Sequence, residues 1–512
     1  MNMPTPPRLL RRSFLQTVSL LLPVVGATWL RAAAEPLARK PNFIFILTDD
    51  MSWADVACFG HPYAKTPNVD RMAKQGIKFT QFYACAQECA PARSALLTGR
   101  LPAKVGKLTN NGPGLDPAVP NVNKLLKTAG YATGHFGKWH LADGFKDLPV
   151  SNSLSQFGID ESWLASNNGH NADTARLATD AAIHFIDTHT NVPFHIFIWH
   201  VWPHAPTNPS AEQKAVYSNL AFNIKDFPET TQRKFAEGVN FDIAGKMATY
   251  LATVTEMDKQ VGRLLARLEE LNLAQDTLIA GFAGDQGADK KVTKDGSMWV
   301  CNPGPYRGGK FDYNEGGIRT TCVAQWKGRI PAGLTNDSLW RTVDWLPTVC
   351  ALAGVKTGTL TLDGQNVADI VLGNKRERTE PLFWGQYNFT IQAMREGRWK
   401  MAQHALYDLA TDPGEQTNLA KLNSAQNARM VKMYDQWRTD TLHTTIVTGE
   451  ANPAHAGIVS GGAAYVVGGK AVIVATAWNG WHFTGWSDGD TTNPRTVVVS
   501  AINSTYTANF AR

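Results

Sequence analysis

Cysteine is scarce in this chain: six among 512 residues, at positions 58, 85, 89, 301, 322 and 350, with no CxxC pair. That excludes a disulfide-dense scaffold and a paired-thiolate metal site, both of which need clustered cysteines. An excess of one charge is missing as well. The net charge is +6, but residues 1–34 hold Arg8, Arg11, Arg12 and Arg31 and no acid, which leaves +2 for the rest. A chain so close to neutral has no basic face for nucleic acid, and no nucleic-acid partner is expected. Long apolar runs are absent beyond the N-terminus, so no transmembrane anchor is expected either.

Residues 1–34 read as an export signal: arginines, an apolar run from Val18 to Leu30 broken by Pro23 and Gly26, then Ala32-Ala33-Ala34 as a small-residue cleavage site. Arg11-Arg12-Ser13-Phe14-Leu15 resembles the twin-arginine motif of bacterial Tat signals, with an ordinary Sec signal as the alternative. Both imply a periplasmic or extracellular bacterial protein. Folding before Tat export would fit reduced thiols.

The remaining ~480 residues exceed what one core supports. Residues 35–354 alternate short apolar runs with amphipathic stretches, the pattern of a large, mostly parallel sheet flanked by helices, an α/β fold. Phe43 to Leu47, Tyr131 to Phe136, Phe194 to Trp199 and Leu278 to Phe282 are its clearest strands, and Asn68 to Gln75 and Met247 to Asn272 its clearest helices. Residues 355–446 read as a smaller α+β subdomain, with strands near Leu382 to Trp384 and Trp399 to Met401 and a helix near Ser424 to Trp437. Residues 450–512 are richer in glycine and alternate with period two at Ala471 to Ala477, Thr496 to Ser500 and Tyr506 to Phe510, which implies a separate small all-β module.

Four predicted strands each run into a polar cluster suited to metal binding or proton transfer. Asp49-Asp50 follows the first, Lys138 and His140 the second, His204 the third, and Asp285-Gln286 the fourth. In α/β sheets ligands bind beyond the carboxyl ends of strands, so these clusters should converge. Asp49, Asp50, Asp285 and the amide oxygen of Gln286 form a hard-oxygen set that suits Ca²⁺, or Mg²⁺, far better than a thiolate-seeking metal. His135 and His195 fall inside strands and read as structural. His200 ends its strand and could face a substrate, as could Trp139, Trp202, Trp299 and Tyr306 near the expected mouth.

Cys89-Ala90-Pro91-Ala92-Arg93 runs into Ser94-Ala95-Leu96-Leu97-Thr98-Gly99-Arg100. Proline in third place suits a first helical turn, so Cys89 should begin a helix, where free N–H groups and the helix dipole favour an anion and Arg93 is one turn on. This stretch resembles the signature in which type I, formylglycine-dependent sulfatases convert a cysteine. Thr48-Asp49-Asp50, Thr66-Pro67-Asn68, Gly137-Lys138-Trp139-His140, Gly308-Gly309-Lys310 and Glu315-Gly316-Gly317-Ile318-Arg319 extend the resemblance from Lys40 to about Ala420. It departs from the commonest pattern at Ala92, where serine is usual, and at Gln286, where asparagine or histidine is usual.

The resemblance implies an alkaline phosphatase-like fold and a formylglycine made from Cys89 by a maturation enzyme. Its hydrate would be the nucleophile, held by Arg93 and Lys138, with the converted Cys89 joining Asp49, Asp50, Asp285 and Gln286 around the metal. Lys310 and the metal would bind the sulfate oxygens. Asp285 would assist deprotonation of the attacking hydroxyl, His204 with Lys310 would protonate the leaving oxygen, and His140 would deprotonate the second hydroxyl. Gly485-Trp486-Ser487-Asp488-Gly489 and Tyr506 to Phe510 resemble InlB-type bacterial repeats, a module open to surface attachment, glycan contact or spacing. The expected activity is hydrolysis of sulfate esters on a small molecule or, more in keeping with export, a carbohydrate. A phosphodiesterase or phosphonate hydrolase of the same superfamily, and an inactive protein that binds sulfated glycans, are the alternatives. Substrate contacts should come from the loops Thr207 to Asp242 and Asp295 to Tyr306.

Overall fold

The computed structural model describes residues 39–107, 109–110, 114–142, 151–165, 171–236, 242–289, 300–385, 392–442, 444–467, 469–500 and 504–512. The expected export signal lies outside the described residues, as do Trp299 and parts of both loops named above. No described helix is long and apolar enough to cross a membrane, and all six cysteines are free thiols.

Phe43 to Leu47 is apolar at every position and at most 1% exposed. Such a run belongs to a strand covered on both faces, the usual state of parallel sheets. It forms the strand Asn42–Asp49, which pairs in parallel with Phe194–Pro203 on one side and Thr277–Gly284 on the other. The full eight-stranded order is Leu334–Asn336, Ile77–Phe79, Val323–Gln325, Thr277–Gly284, Asn42–Asp49, Phe194–Pro203, Ala132–Gly137, Glu161–Leu164. Val323–Gln325 is antiparallel to both of its neighbours.

Strand alternation divides the core. Ile44, Ile46, Ile196 and Ile198 face a layer built on the helices Thr174–Thr188 and Ile243–Glu270. Phe45, Leu47, Phe197 and Trp199 face the opposite layer, with Leu96 and Leu97 of the helix Cys89–Thr98 and Trp345 and Leu346 of the helix Trp345–Leu352. The strands and helices expected from the sequence in this region are all present, within a few residues at their ends. Residues 207–242 differ from the expected loop: they contain the helices Ala211–Ala215, closed by a Ser210/Gln213 capping box, and Glu229–Ala236.

The second region is an antiparallel sheet of Leu382–Gly385, Gln392–Glu396, Trp399–Ala402 and Ala405–Asp408. The helix Ser424–Leu442 covers it, burying Met430 and Tyr434 against Met394, Met401 and Leu406. The last region stacks a four-stranded and a three-stranded sheet around Ile473, Trp486 and Phe510. Its first strand, Thr444–Asn452, lies parallel to its last, Ser504–Ala511.

Candidate active site

Parallel register places the four polar clusters level. Thr48 is opposite Gly284, Asp49 opposite Pro203, and Gly137 opposite Trp199. Gly137 has φ 120°, and a Cβ there would lie 1.9 Å from the Trp199 carbonyl oxygen, so only glycine lets this strand end close against its neighbour and hand Lys138 to the site. Lys138 N–H then donates to that same carbonyl at 2.8 Å. Asp50 (φ 59°), His140 (φ 57°) and Phe311 (φ 71°) are left-handed without being glycine, and each belongs to or adjoins a predicted site residue. Strained backbone of this kind persists where the surroundings over-determine it, as functional sites do.

Cys89 is the first residue of a ten-residue helix whose residues are all buried, and Gly99 ends it at φ 65°. The residue before it, Glu88, makes no side-chain cap. The first turn is instead satisfied from a distance: Asn110 Oδ1 accepts the Ala90 N–H at 2.9 Å, and Asn110 N–H donates to Glu88 Oε2 at 3.0 Å. Sequence reading missed Asn110, because its contact with the helix is not local. The missing cap at Glu88 is the signal that could have prompted a search for it.

Around Cys89 three carboxylates and three cations interlock. Arg93 Nε donates to Asp285 Oδ2 at 2.9 Å, and Nη2 makes ion pairs at 2.8 Å to the same oxygen and 3.4 Å to Asp49 Oδ1. Lys138 Nζ donates to Asp49 Oδ2 at 2.5 Å, and Lys310 Nζ to Asp50 Oδ2 at 2.8 Å. Asp285 Oδ1 accepts the backbone N–H groups of Asp50 and Gln286, both at 3.1 Å. His204 Nδ1 donates to the Ala205 carbonyl at 2.6 Å, leaving Nε2 3.5 Å from Asp50 Oδ2 with its side chain 29% exposed. Every expected site residue is therefore in one cluster, with His140, 5% exposed, close enough to feel Lys138, Arg93 and Asp49.

Burial sets the direction of most shifts. It raises Asp50 to about 6 and Asp285 to about 7, in each case helped by the neighbouring Asp49 carboxylate and opposed by Lys310 or Arg93. Asp49 is also buried, but Lys138, His204, Arg93 and Lys310 together hold it well below the ordinary carboxylate value. Burial, then the cations Lys138 and Arg93, push His140 down to about 2, so the imidazole is neutral. Burial and the Asp285 and Asp49 carboxylates push the Cys89 thiol well up, despite its helix N-terminus. A thiol held protonated is a poor nucleophile.

One ligand atom from each of Asp49, Asp50, Cys89 and Asp285 lies within 4.8 Å of the others. Asp49 Oδ1 and Gln286 Oε1 are buried without a hydrogen bond, while Gln286 Nε2 is turned toward Asp50 Oδ1 and 3.4 Å from the Cys89 sulfur. Orphaned hard oxygens beside crowded carboxylates fit a Ca²⁺- or Mg²⁺-sized cation.

Of the aromatic side chains expected near the mouth, the three among the described residues are not free to stack on a substrate. Trp139 and Trp202 are at most 3% exposed and Tyr306 is 5% exposed. Trp139 stacks on Trp199, and Tyr306 lies beneath the Arg319 guanidinium. Trp199, which the sequence marked only as part of a strand, supports Arg93 from behind, with the guanidinium carbon 5.2 Å from its ring centroid. His135 packs edge-on to Trp139 and Trp199. His195 joins Asn123 to Trp345. His200 is buried.

Lys310 is held by an arrangement the sequence did not reveal. Its loop lies against Gly316 and Gly317, where a Cβ would come within 2.6 Å of the Gly308 oxygen and 2.2 Å of the Asp312 oxygen. Glu315, one residue before, accepts from Lys400 at 2.8 Å and from Arg319 at 3.1 Å. Its second oxygen also takes the Tyr83 hydroxyl at 2.5 Å. Lys400 is fully buried and also pairs with Glu415 at 3.0 Å, joining the antiparallel subdomain to the catalytic loop.

Carboxylates and buried cations around a cysteine-headed helix at the ends of a mostly parallel sheet have the chemistry of an ester hydrolase that grips a tetrahedral anion. Comparison with known proteins makes the class specific. The sulfatase family matches residues 41–355, and the chain belongs to it; it is a sulfuric ester hydrolase. Human arylsulfatase A is 30% identical over 76% of this chain and 85% of its own length. Dog N-acetylgalactosamine-6-sulfatase is 30% identical over 74% of each. The solved structure of Ps i-CgsB in complex with k-i-k-neocarrahexaose superposes with a TM-score of 0.64 at 26% identity, covering 78% of this chain and 93% of that one. Residues 447–512 match the divergent InlB B-repeat domain.

Proposed function

We propose that this sulfatase is exported, takes a formylglycine at Cys89 from a maturation enzyme, binds Ca²⁺ or Mg²⁺, and removes sulfate from a carbohydrate. The observation that carries the reading is Cys89 itself. It heads a buried helix, within a cluster of three cations and three carboxylates, yet its thiol is held protonated. A cysteine placed as a nucleophile but unable to ionise fits a side chain meant to be converted. Conversion supplies a geminal diol, of which one hydroxyl attacks sulfur and the other later lets sulfate leave.

The chain's own residues supply the rest. Arg93, fixed by Asp285, Asp49 and the Trp199 ring, and Lys138, fixed by Asp49, orient the nucleophile and offer positive charge where the sulfuryl oxygens gain negative charge. Asp285, raised toward neutrality, is suited to take a proton from the attacking hydroxyl. His204, the partly exposed member of the cluster, is placed with Lys310 to protonate the leaving alcohol, and His140 is assigned the proton of the second hydroxyl, a transfer that requires the bound sulfate's negative charge to raise its pKa from about 2. Asp49 Oδ1, Gln286 Oε1, Asp50 and Asp285 would hold the cation, which would neutralise a sulfate oxygen.

The carbohydrate assignment draws support from the relatives that act on N-acetylgalactosamine sulfate and bind neocarrahexaose. Fold alone also links the chain to a phosphonate monoester hydrolase of Agrobacterium radiobacter, at 20% identity and TM-score 0.57. Mass spectrometry of the Cys89 peptide after co-expression with a maturase tests conversion, and an unmodified thiol would overturn it. Parallel rates on aryl sulfate, aryl phosphate and phosphonate esters test the reaction class, and a large phosphate preference would sink the sulfate assignment. A screen of sulfated mono- and oligosaccharides tests the carbohydrate.

A further inference from the structure

Trp478 is the one exposed aromatic side chain among the described residues, at 51%. It stands on the turn Trp478-Asn479-Gly480-Trp481, which carries the chain from the strand Lys470–Ala477 to the strand His482–Trp486 and so from one sheet of the C-terminal module to the other. The turn is firmly held. Trp478 N–H donates to the Ala456 oxygen at 2.8 Å, and Trp481 N–H to the Trp478 oxygen at 3.0 Å. Gly480 has φ 82° with nothing within 4 Å of where a Cβ would be, so the tip projects into open space.

Trp481 packs partly on the module's core, but Trp478 does not join it. Beside it, the Arg512 guanidinium lies 5.1 Å from the Trp481 ring centroid and His455 meets that ring edge-on at 5.3 Å. His455, Asn479 and His482 are all exposed. An indole kept in water costs solubility unless something covers it, and the size of this feature narrows what that is. A stable protein partner needs roughly 800 Å² on each side, far more than this turn provides; the module's other exposed apolar side chains, Ile458, Val472 and Val498, lie within its strands and not on the turn. A membrane wedge needs a continuous apolar face, which the polar neighbours deny. A turn that offers one exposed indole, Trp478, and a cation held over its other indole, Trp481, matches the apolar CH face of one sugar ring and an anionic substituent on the same polymer.

We infer that the Trp478–Trp481 turn, with Arg512, is a secondary binding site for an anionic polysaccharide, separate from the catalytic cluster. It would tether the enzyme to polymer while the active site works on ester groups. The inference rests on the carbohydrate reading above for its choice of ligand.

Affinity electrophoresis of the full chain tests it, with gels containing carrageenan, agarose or no polymer, in a Cys89→Ala background that leaves the polymer intact. Carrageenan should retard the parent. Trp478→Ala should weaken that retardation by about tenfold or more, as loss of an aromatic anchor does, Trp478→Phe should restore much of it, and Arg512→Gln should weaken it for carrageenan alone. Separately, Trp478→Ala in the Cys89 enzyme should leave hydrolysis of a small aryl sulfate unchanged. Equal retardation of the parent and Trp478→Ala would overturn the site, as would no retardation by carrageenan or retention by anionic lipid vesicles instead. Failure of aryl sulfate hydrolysis would strike the sulfatase mechanism without touching the retardation result, so the two ideas fail separately.

Discussion

Two clusters of buried charge lie close together in this molecule and differ in how they are balanced. Between the catalytic loop and the antiparallel subdomain, Glu315 and Glu415 face Lys400, while Arg319 and Arg395 add to the positive side at Glu315. Burial raises both acids; at Glu315 those three cations overcome it and bring the carboxyl down to about 2, while Glu415, paired with Lys400 and beside the Glu315 carboxylate, stays raised. In the active site Asp49, Asp50 and Asp285 meet only as many cations as there are acids, and two of the three carboxyls are pushed up to about 6 and 7. A surplus of cations makes the first cluster a fastener. The even balance makes the second receptive to a further positive charge, and Asp49 Oδ1 with Gln286 Oε1 mark where that charge fits; in the first cluster Glu415 Oε1 also lacks a hydrogen bond, but it already has the Lys400 ammonium at 3.0 Å.

The sharpest way to separate the two is to remove their central residues. Cys89→Ala should lower turnover by more than about 10³-fold, as loss of a nucleophile does, with unchanged circular dichroism; near wild-type turnover would refute the assigned nucleophile. Lys400→Met should do the reverse, costing about 3 kcal/mol in denaturant unfolding because Glu415 loses its ion-pair partner and Glu315 one of its three cations in a dry interior. Lys310→Met should lose turnover yet cost much less stability, since Asp50, already near 6, can simply take up a proton. Equal destabilisation by the two lysine changes would erase the distinction drawn here.

Added Ca²⁺ should raise the melting temperature of the enzyme, by about 2.7 kcal/mol of stabilisation at a hundredfold excess over Kd. Asp49→Asn should abolish that response, whereas Lys400→Met, measured where it remains folded, should keep it. The smallest expected effect concerns pH. His195 Nδ1–H donates to Asn123 Oδ1 at 2.8 Å while Nε2 accepts from Trp345 at 3.2 Å, and burial lowers its pKa to about 3. Between about 6.5 and 3 the unfolded chain takes up a proton at His195 that the folded one refuses, so the His195 contribution to stability should fall with falling pH across that window and be constant above it. His195→Gln should reduce the slope by about one proton; an unchanged slope would place the uptake elsewhere, with buried His61 and His135 next in line.

The central strands and the polar residues at their ends were legible because both are local: an unbroken apolar run, then a change to Asp, Lys or His. Cys89 at a helix start was legible from Pro91 for the same reason. Short strands such as Ile77–Phe79 and Leu334–Asn336 were not, since three residues carry no periodicity and their pairing is set by the rest of the sheet. Asn110, Trp199 and Lys400 escaped for a related cause. Each acts on a residue 20 or more positions away, and nothing in its own neighbourhood marks it. Gln286 was legible as a ligand candidate, but the direction of its amide depends on Asp50 and Cys89 together.

The parallel pairing of the C-terminal module's first and last strands has a geometric outcome. Val447 lies beside Ser504 and Asn452 beside Asn509, so the chain enters this module at one end and leaves it at the other. Strands of eight or nine residues span roughly 25–30 Å, so the chain's entry to this module and its exit stand about that far apart. A unit that passes its chain straight through can be strung in series without a return loop, each copy adding its own length to the reach.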